Sequence, residues 1–422
     1  MNKVTKSMSS LNSEDHLGLI SLSVMYLTVM LGSLLGPVCG RLFGHKSIIL
    51  GTFVMHLCYT CSNFVPGWST LLPTSALLGL CAGNMFMSQG VYIAAASRSY
   101  IQLKGLPASR LYSAMSLFNG VFYSCFSATQ ITGNLVSSLI LFTAEYNQTL
   151  LGDNVCGAQV CADFDGGKDF DKPQEGVIHL LFSCYAACGV LGILVLAVGL
   201  PRLSNFSKDM KSEPFLQIVN THLGGCLSML FNPKLFILIP SIMAQAILNM
   251  LMYTGYTEAF VTCTVGVQWV GYCMVALGVT SSLTALLVST SARFTGRILQ
   301  FSVSMGLDIA TAVIMLIWVP DYQTSPMVLL ILPLIAGLSQ GIIQPQQQAL
   351  LGDVFTREEL PSACAAFIGV KCLAFSVYLC LSSTACLYDG LILALGLYAP
   401  GVVGYAYTEI RERRRDKDKG EI

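Results

Sequence analysis

IHLLFSCYAACGVLGILVLAVGL, residues 178–200, contains no Asp, Glu, Lys or Arg. A helix crosses a hydrocarbon core of about 30 Å with about 20 mostly apolar residues, at 1.5 Å per residue. The run is long enough, and its residues do not alternate between polar and apolar as a barrel strand requires. In lipid every backbone N–H and C=O must find its partner within the chain, so the run reads as a spanning helix. Working outward, runs of the same kind occur at 17–38, 48–65, 71–96 and 115–142 on one side. On the other side they occur at 235–255, 267–290, 298–319, 327–350, 362–384 and 385–407, making eleven in all.

Composition agrees with this reading. Of 422 residues, 54% are hydrophobic and 11% charged, with a mean hydropathy of +0.66. An ordinary soluble domain carries roughly 25% charged residues, which it needs to cover its surface. The chain is therefore expected to be an all-α polytopic membrane protein with the lipid bilayer as its solvent, not a soluble enzyme.

Lys and Arg set the orientation, since basic residues are retained on the cytoplasmic side. If the loop after the first run is cytoplasmic, that side holds eighteen of them, including Arg41, Lys46, Arg98, Arg202, Arg293, Arg297 and the tail from Arg411 to Lys419. The opposite side holds four: Lys3, Lys6, Lys168 and Lys172. The tail 408–422 is thus expected in the cytoplasm, and an odd helix count places the polar segment 1–16 outside. That segment has no apolar stretch of a signal peptide. An absent upstream helix would account for both facts.

The long loop after the fourth run is then external and in an oxidising compartment. It holds Cys156 and Cys161, which flank four residues and for which a local disulfide is the expectation, and the glycosylation sequon at Asn147. The sequon at Asn205 falls on the cytoplasmic side and should stay bare.

Two short patterns recur. Gly79-Leu80-Cys81-Ala82-Gly83 matches Gly337-Leu338-Ser339-Gln340-Gly341, 258 residues on. The turn Arg41-Leu42-Phe43-Gly44 matches Arg293-Phe294-Thr295-Gly296, 252 residues on. Together they imply two related bundles, 17–200 with five helices and 234–407 with six, joined by a cytoplasmic linker at 201–233. The pairing leaves the first helix of a six-plus-six plan without a counterpart. That plan resembles the major facilitator superfamily, whose substrate sites lie near the midplane between halves. Its Arg-x-x-Gly loop resembles the turns here, although Gly40 stands where an acidic residue is usual and Gly44 comes one position late. This departure puts the loop's charge-relay role in question.

Further stretches narrow the resemblance. They are Ser10-Leu11-Asn12-Ser13-Glu14 with Leu17-Gly18, Pro73-Thr74-Ser75-Ala76-Leu77-Leu78, Gly133-Asn134-Leu135-Val136-Ser137-Ser138 and Cys156-Gly157-Ala158-Gln159-Val160-Cys161. The second half adds Phe260-Val261-Thr262-Cys263 and Gly266-Val267-Gln268-Trp269-Val270-Gly271-Tyr272. These resemble the Unc-ninety-three-like ("uncoordinated") family, nearest its homologue A branch, in which a transmembrane helix precedes the Ser-Leu-x-Ser-Glu stretch. The resemblance implies a regulatory partner of a potassium channel, or an escort of a receptor; the fold leaves a secondary transporter of a small solute as the alternative. The plasma membrane is the expected residence, with endosomal membranes as the alternative.

Polar residues line single faces of several runs at helical spacing. The stripes are Asn84, Ser88 and Tyr92; Asn119, Tyr123, Ser127, Gln130 and Asn134; Gln245, Asn249, Tyr253 and Tyr256; and Gln340, Gln344 and Gln347. Intramembrane polar groups face a bundle interior or a cavity. Two readings stay open: interhelical hydrogen bonds of about 0.6 kcal/mol each, or a small-molecule site. Two charges, Asp308 and Lys371, fall inside runs and call for hydroxyls, backbone carbonyls or each other. No metal spacing, phosphate loop or nucleophile elbow occurs, so no cofactor and no enzymatic activity are expected. The basic tail directly follows a helix, where it orients the chain and meets anionic lipid rather than nucleic acid.

Overall fold

The computed structural model describes residues 17–107, 110–142, 156–161, 175–201, 215–321, 323–382 and 385–418. Asn147 lies outside the described residues, as do 1–16 and the end of the tail. All the long elements among the described residues are helices. They are α1 Leu17–Phe43, α2 His45–Ser62, α3 Trp68–Lys104, α4 Leu111–Phe142, α5 Glu175–Gly199, α6 Phe215–Leu230, α7 Ile239–Tyr253, α8 Gln268–Ile317, α9 Ile331–Val354, α10 Leu360–Ser382 and α11 Leu387–Asp418.

Each of the eleven apolar runs is helical over most of its described length. Two of them, 267–290 and 298–319, form the arms of α8, which turns sharply at Gly296. The helix α6 lies in the expected linker and was not foreseen, because its stretch is shorter than a span and mixes polar with apolar residues. Among the described residues, eight helical spans are long and apolar enough to cross a membrane, the two arms of α8 counted separately. On α5, Leu191, Leu194, Val195 and Val198 are 58–89% exposed. A row of bare aliphatic side chains of this kind is a face for lipid, not for water.

The chain divides into two compact units. One takes Met1–Ala96, Pro173–Phe236 and Val354–Ser376, and the other takes Ser97–Lys172, Ile237–Asp353 and Val377–Ile422. In the first unit α3 packs on α1 through glycines. A Cβ at Gly79 would collide with the Thr28 hydroxyl and the Met25 carbonyl, and one at Gly83 with the Val29 carbonyl and the Ser33 amide. In the second unit α9 packs on α8 in the same manner. Gly337 meets the Thr280 hydroxyl and the Leu277 carbonyl, and Gly341 meets the Ser281 carbonyl and the Ala285 amide.

Every partner in the second unit stands 252 positions after its counterpart in the first. Thr28 also donates to the carbonyls of Val24 and Met25, as Thr280 does to those of Ala276 and Leu277. The repeat read from short glycine patterns is thus a repeat of helix packing, in which small residues let backbones approach closely. The turns repeat as well. Gly44 has φ 77° and Gly296 φ 70°, a left-handed region that residues with a Cβ reach only at a cost.

Candidate functional site

The polar residues expected on α4, α7 and α9 all lie in the second unit, and one side chain ties the three helices together. Tyr253, the last residue of α7, donates its hydroxyl to Gln340 Oε1 of α9 at 2.9 Å. The same hydroxyl accepts from Gln130 Nε2 of α4 at 3.3 Å. Gln130 also takes Asn134 Nδ2 on its backbone carbonyl, so two members of the α4 stripe share one residue. The rest of that stripe serves other ends. Asn119 Nδ2 is spent on its own helix at the Met115 carbonyl. Ser127 pairs with Ser281 of α8 at 2.9 Å, and the Tyr123 ring lies edge-on to Phe122. On α9, Gln344 is half-buried and Gln347 buried.

Several buried amide atoms in this interior have no hydrogen-bond partner among the described residues: both of Gln245, Gln130 Oε1, Gln340 Nε2, Gln347 Oε1 and Asn119 Oδ1. Gln245 is 2% exposed. Each such group carries a desolvation cost of about 1–3 kcal/mol. Asn249, also on α7, is buried beside them.

The stripe reading missed Gln346. It is fully buried and takes the Tyr112 hydroxyl at 2.7 Å, while its amide donates to Ser116 at 2.9 Å. The run Gln344-Pro345-Gln346-Gln347-Gln348 held the signal, but selecting one helical face passed over it. The stripe Asn84, Ser88 and Tyr92 belongs to the first unit. Asn84 Nδ2 donates to the Leu80 carbonyl and the Tyr92 hydroxyl to the Pro201 carbonyl. The Asn84 carbonyl oxygen and the Ser88 hydroxyl are buried without a partner among the described residues.

Asp308 sits on the second arm of α8, 5% exposed. The buried Tyr398 of α11 donates its hydroxyl to Asp308 Oδ2 at 2.6 Å. A hydroxyl therefore meets the intramembrane carboxylate. Lys371 is half-buried on α10 in the first unit.

The local Cys156–Cys161 disulfide is not formed. Cys156 is bonded to Cys263 and Cys161 to Cys386. The segment between them lies across two helix ends, with the Gly157 N–H on the Ala259 carbonyl and the Val160 and Ala158 carbonyls on the N–H groups of Leu387 and Tyr388. Those two amides open α11 and have no intrahelical acceptor, so the segment caps that helix. Its two thiols are thereby aimed at different helices rather than at each other.

The two glycine turns are furnished differently. Arg41 bonds His222 of α6 through its guanidinium. Arg293 lies three residues before Gly296, and Arg297, directly after it, pairs with Asp353 at 3.0 Å and Glu409 at 2.6 Å. The Tyr112 ring lies 5.6 Å from the Arg297 guanidinium carbon, in cation–π range. In the first unit the corresponding place holds His45. The second turn is thus a built ion-pair cluster, and its acidic members come from α9 and α11 rather than from the turn.

No family model matches the chain. Curated relatives do. Protein unc-93 homolog A of Xenopus laevis is 28% identical over 415 residues, covering 97% of this chain and 89% of the relative. The putative potassium channel regulatory protein unc-93 of Caenorhabditis elegans is 24% identical over 358 residues, covering 82% of this chain and 49% of that one. Among solved structures, the major facilitator superfamily proton:xylose symporter XylE aligns with TM-score 0.62 at 14% identity, over 95% of this chain and 89% of that one. That likeness shows the fold, and the relatives show what the sequence is similar to. The chain is an integral multi-pass membrane protein built on the major facilitator fold, similar over nearly its whole length to the unc-93 homolog A proteins.

Proposed function

We propose that this protein is a non-enzymatic accessory subunit that regulates or escorts a membrane partner, an ion channel of the potassium type or a receptor. The observation that carries the reading is the likeness, across four-fifths of the chain, to a relative named as a potassium channel regulator. The turns support it. One holds the Arg297 ion pairs, while its counterpart places His45 there, so the two halves do not carry the matched loops of a symmetric transport cycle. On this reading residues 17–200 and 234–407 are the two repeat bundles, 201–233 the linker and 408–422 a cytoplasmic tail. The disulfide end then faces outward, at the plasma membrane or in an endosome.

Affinity purification of the tagged chain from native membranes in mild detergent, with mass spectrometry, tests the proposal. A channel or receptor subunit at near-stoichiometric amount supports it, and recovery of the chain alone sinks it. A second reading, a secondary transporter of a small uncharged solute, is favoured by the unpartnered amides of Gln245, Gln340 and Gln347, which offer donors and acceptors without charge.

A further inference from the structure

The helix that carries Tyr253 does not run on as an α-helix. Residues Tyr256–Thr262 are π-helical, and the Cys263 N–H reaches back to the Glu258 carbonyl. In an α-helix that N–H would take the Ala259 carbonyl, four residues back. The wider register releases the Ala259 carbonyl, and the Gly157 N–H occupies it at 3.0 Å. The Thr262 hydroxyl likewise reaches five residues back, to the Thr257 carbonyl at 2.7 Å. Such segments are rare and occur mostly as single turns, often at functional sites. This one is held at its far end by a covalent bond, because Cys263 is joined to Cys156, the residue before Gly157. One dipeptide, Cys156-Gly157, therefore holds both the acceptor freed by the π register and the side chain whose position that register sets.

The near end of the segment leads into the polar bridge. The Thr257 hydroxyl donates to the carbonyls of Tyr253 and Thr254 at 3.0 and 2.9 Å. The Tyr256 ring stacks on Phe260 at 5.2 Å, and its hydroxyl bonds the Leu329 carbonyl. The second disulfide differs in what it holds. Cys161–Cys386 sits where the segment caps the first amides of α11, and its neighbours are Leu387 and Tyr388.

We infer that the Cys156–Cys263 disulfide and the Gly157 hydrogen bond form a latch that fixes the π register and so sets the Tyr253 bridge to Gln130 and Gln340. Released, the segment returns to α register, a step of about 100° and 1.5 Å, enough to part the Tyr253 hydroxyl from its amides. Cys161–Cys386 is an anchor and leaves the register alone. The latch gives the disulfide end control of the polar interior. This rests on that interior being the working site, but the register itself can be measured without partner or solute.

The test uses the full chain in lipid nanodiscs, labelled with 3-fluorotyrosine, the Tyr253 signal being assigned by its loss in Tyr253→Phe. Cys156→Ser/Cys263→Ser should speed amide exchange across 256–263 by about tenfold or more and shift the Tyr253 fluorine resonance. Cys161→Ser/Cys386→Ser should leave both unchanged. If the first variant does not fold, the second, with only the latch disulfide left, is reduced after folding with a phosphine and must then show both changes. Equal behaviour of the two disulfides, or an unmoved Tyr253 signal after loss of Cys156–Cys263, overturns the latch.

Discussion

Removing the Tyr398 hydroxyl isolates the carboxylate of Asp308 with the smallest possible change. In Tyr398→Phe the ring stays in its buried place, and only the 2.6 Å bond to Asp308 Oδ2 is lost. A hydrogen bond to a charged group contributes about 1.5–3 kcal/mol, against about 0.6 kcal/mol for an average interhelical bond in a membrane protein. With Asp308 5% exposed, water cannot replace the lost donor, but the Ser339 hydroxyl remains as a second side-chain partner, so the lower part of the range applies. In an Asp308→Asn background the same change removes only a neutral bond and should cost about 1 kcal/mol or less. The double-mutant cycle should therefore return a coupling above about 0.3 kcal/mol. Reversible unfolding of the four proteins in mixed micelles, followed by tyrosine and tryptophan fluorescence, measures it. Additive costs, with coupling below about 0.3 kcal/mol, would refute the argument that this hydroxyl helps make the carboxylate tolerable there.

Other expectations follow from the same geometry. Gly79→Val and Gly337→Val should each lose about 1–3 kcal/mol or more through overpacking against Thr28 and Thr280, whereas Gly396→Ala, with open space around it, should be neutral; thermal stability of the purified variants compares them. Gln245→Leu removes two unpartnered buried amide atoms and should raise stability by about 1 kcal/mol or more, and a drop would mean that the amide is bonded in the working protein. Peptide N-glycosidase should shift the gel mobility of the wild type, and Asn147→Gln should abolish that shift; a surviving shift would reverse the proposed sidedness.

Much of the architecture was legible because hydropathy and helix period are local. A run such as 178–200 has one low-energy form in lipid whatever lies around it. The repeat was legible for a related reason, since close helix packing demands glycine at fixed spacing. Gly79 and Gly83 could therefore be matched to Gly337 and Gly341 before their partners were known. The polar stripes were legible as faces, but not as a site. Whether Gln130 and Gln340 meet Tyr253 depends on how three helices stand relative to one another, and Gln346 was lost because a stripe records one face only.

What sequence alone determined is a helical membrane protein of duplicated design, because the solvent and the backbone's need for hydrogen bonds act on each segment separately. What only the tertiary structure decided is which groups meet. Cys156 and Cys161, five positions apart, could have closed on each other, yet they bond cysteines 107 and 225 positions away. Asp308 called for a polar partner, and within its unit it meets the hydroxyl of Tyr398. Such choices depend on distances set by all the helices of a unit together, and no local pattern in the chain encodes them.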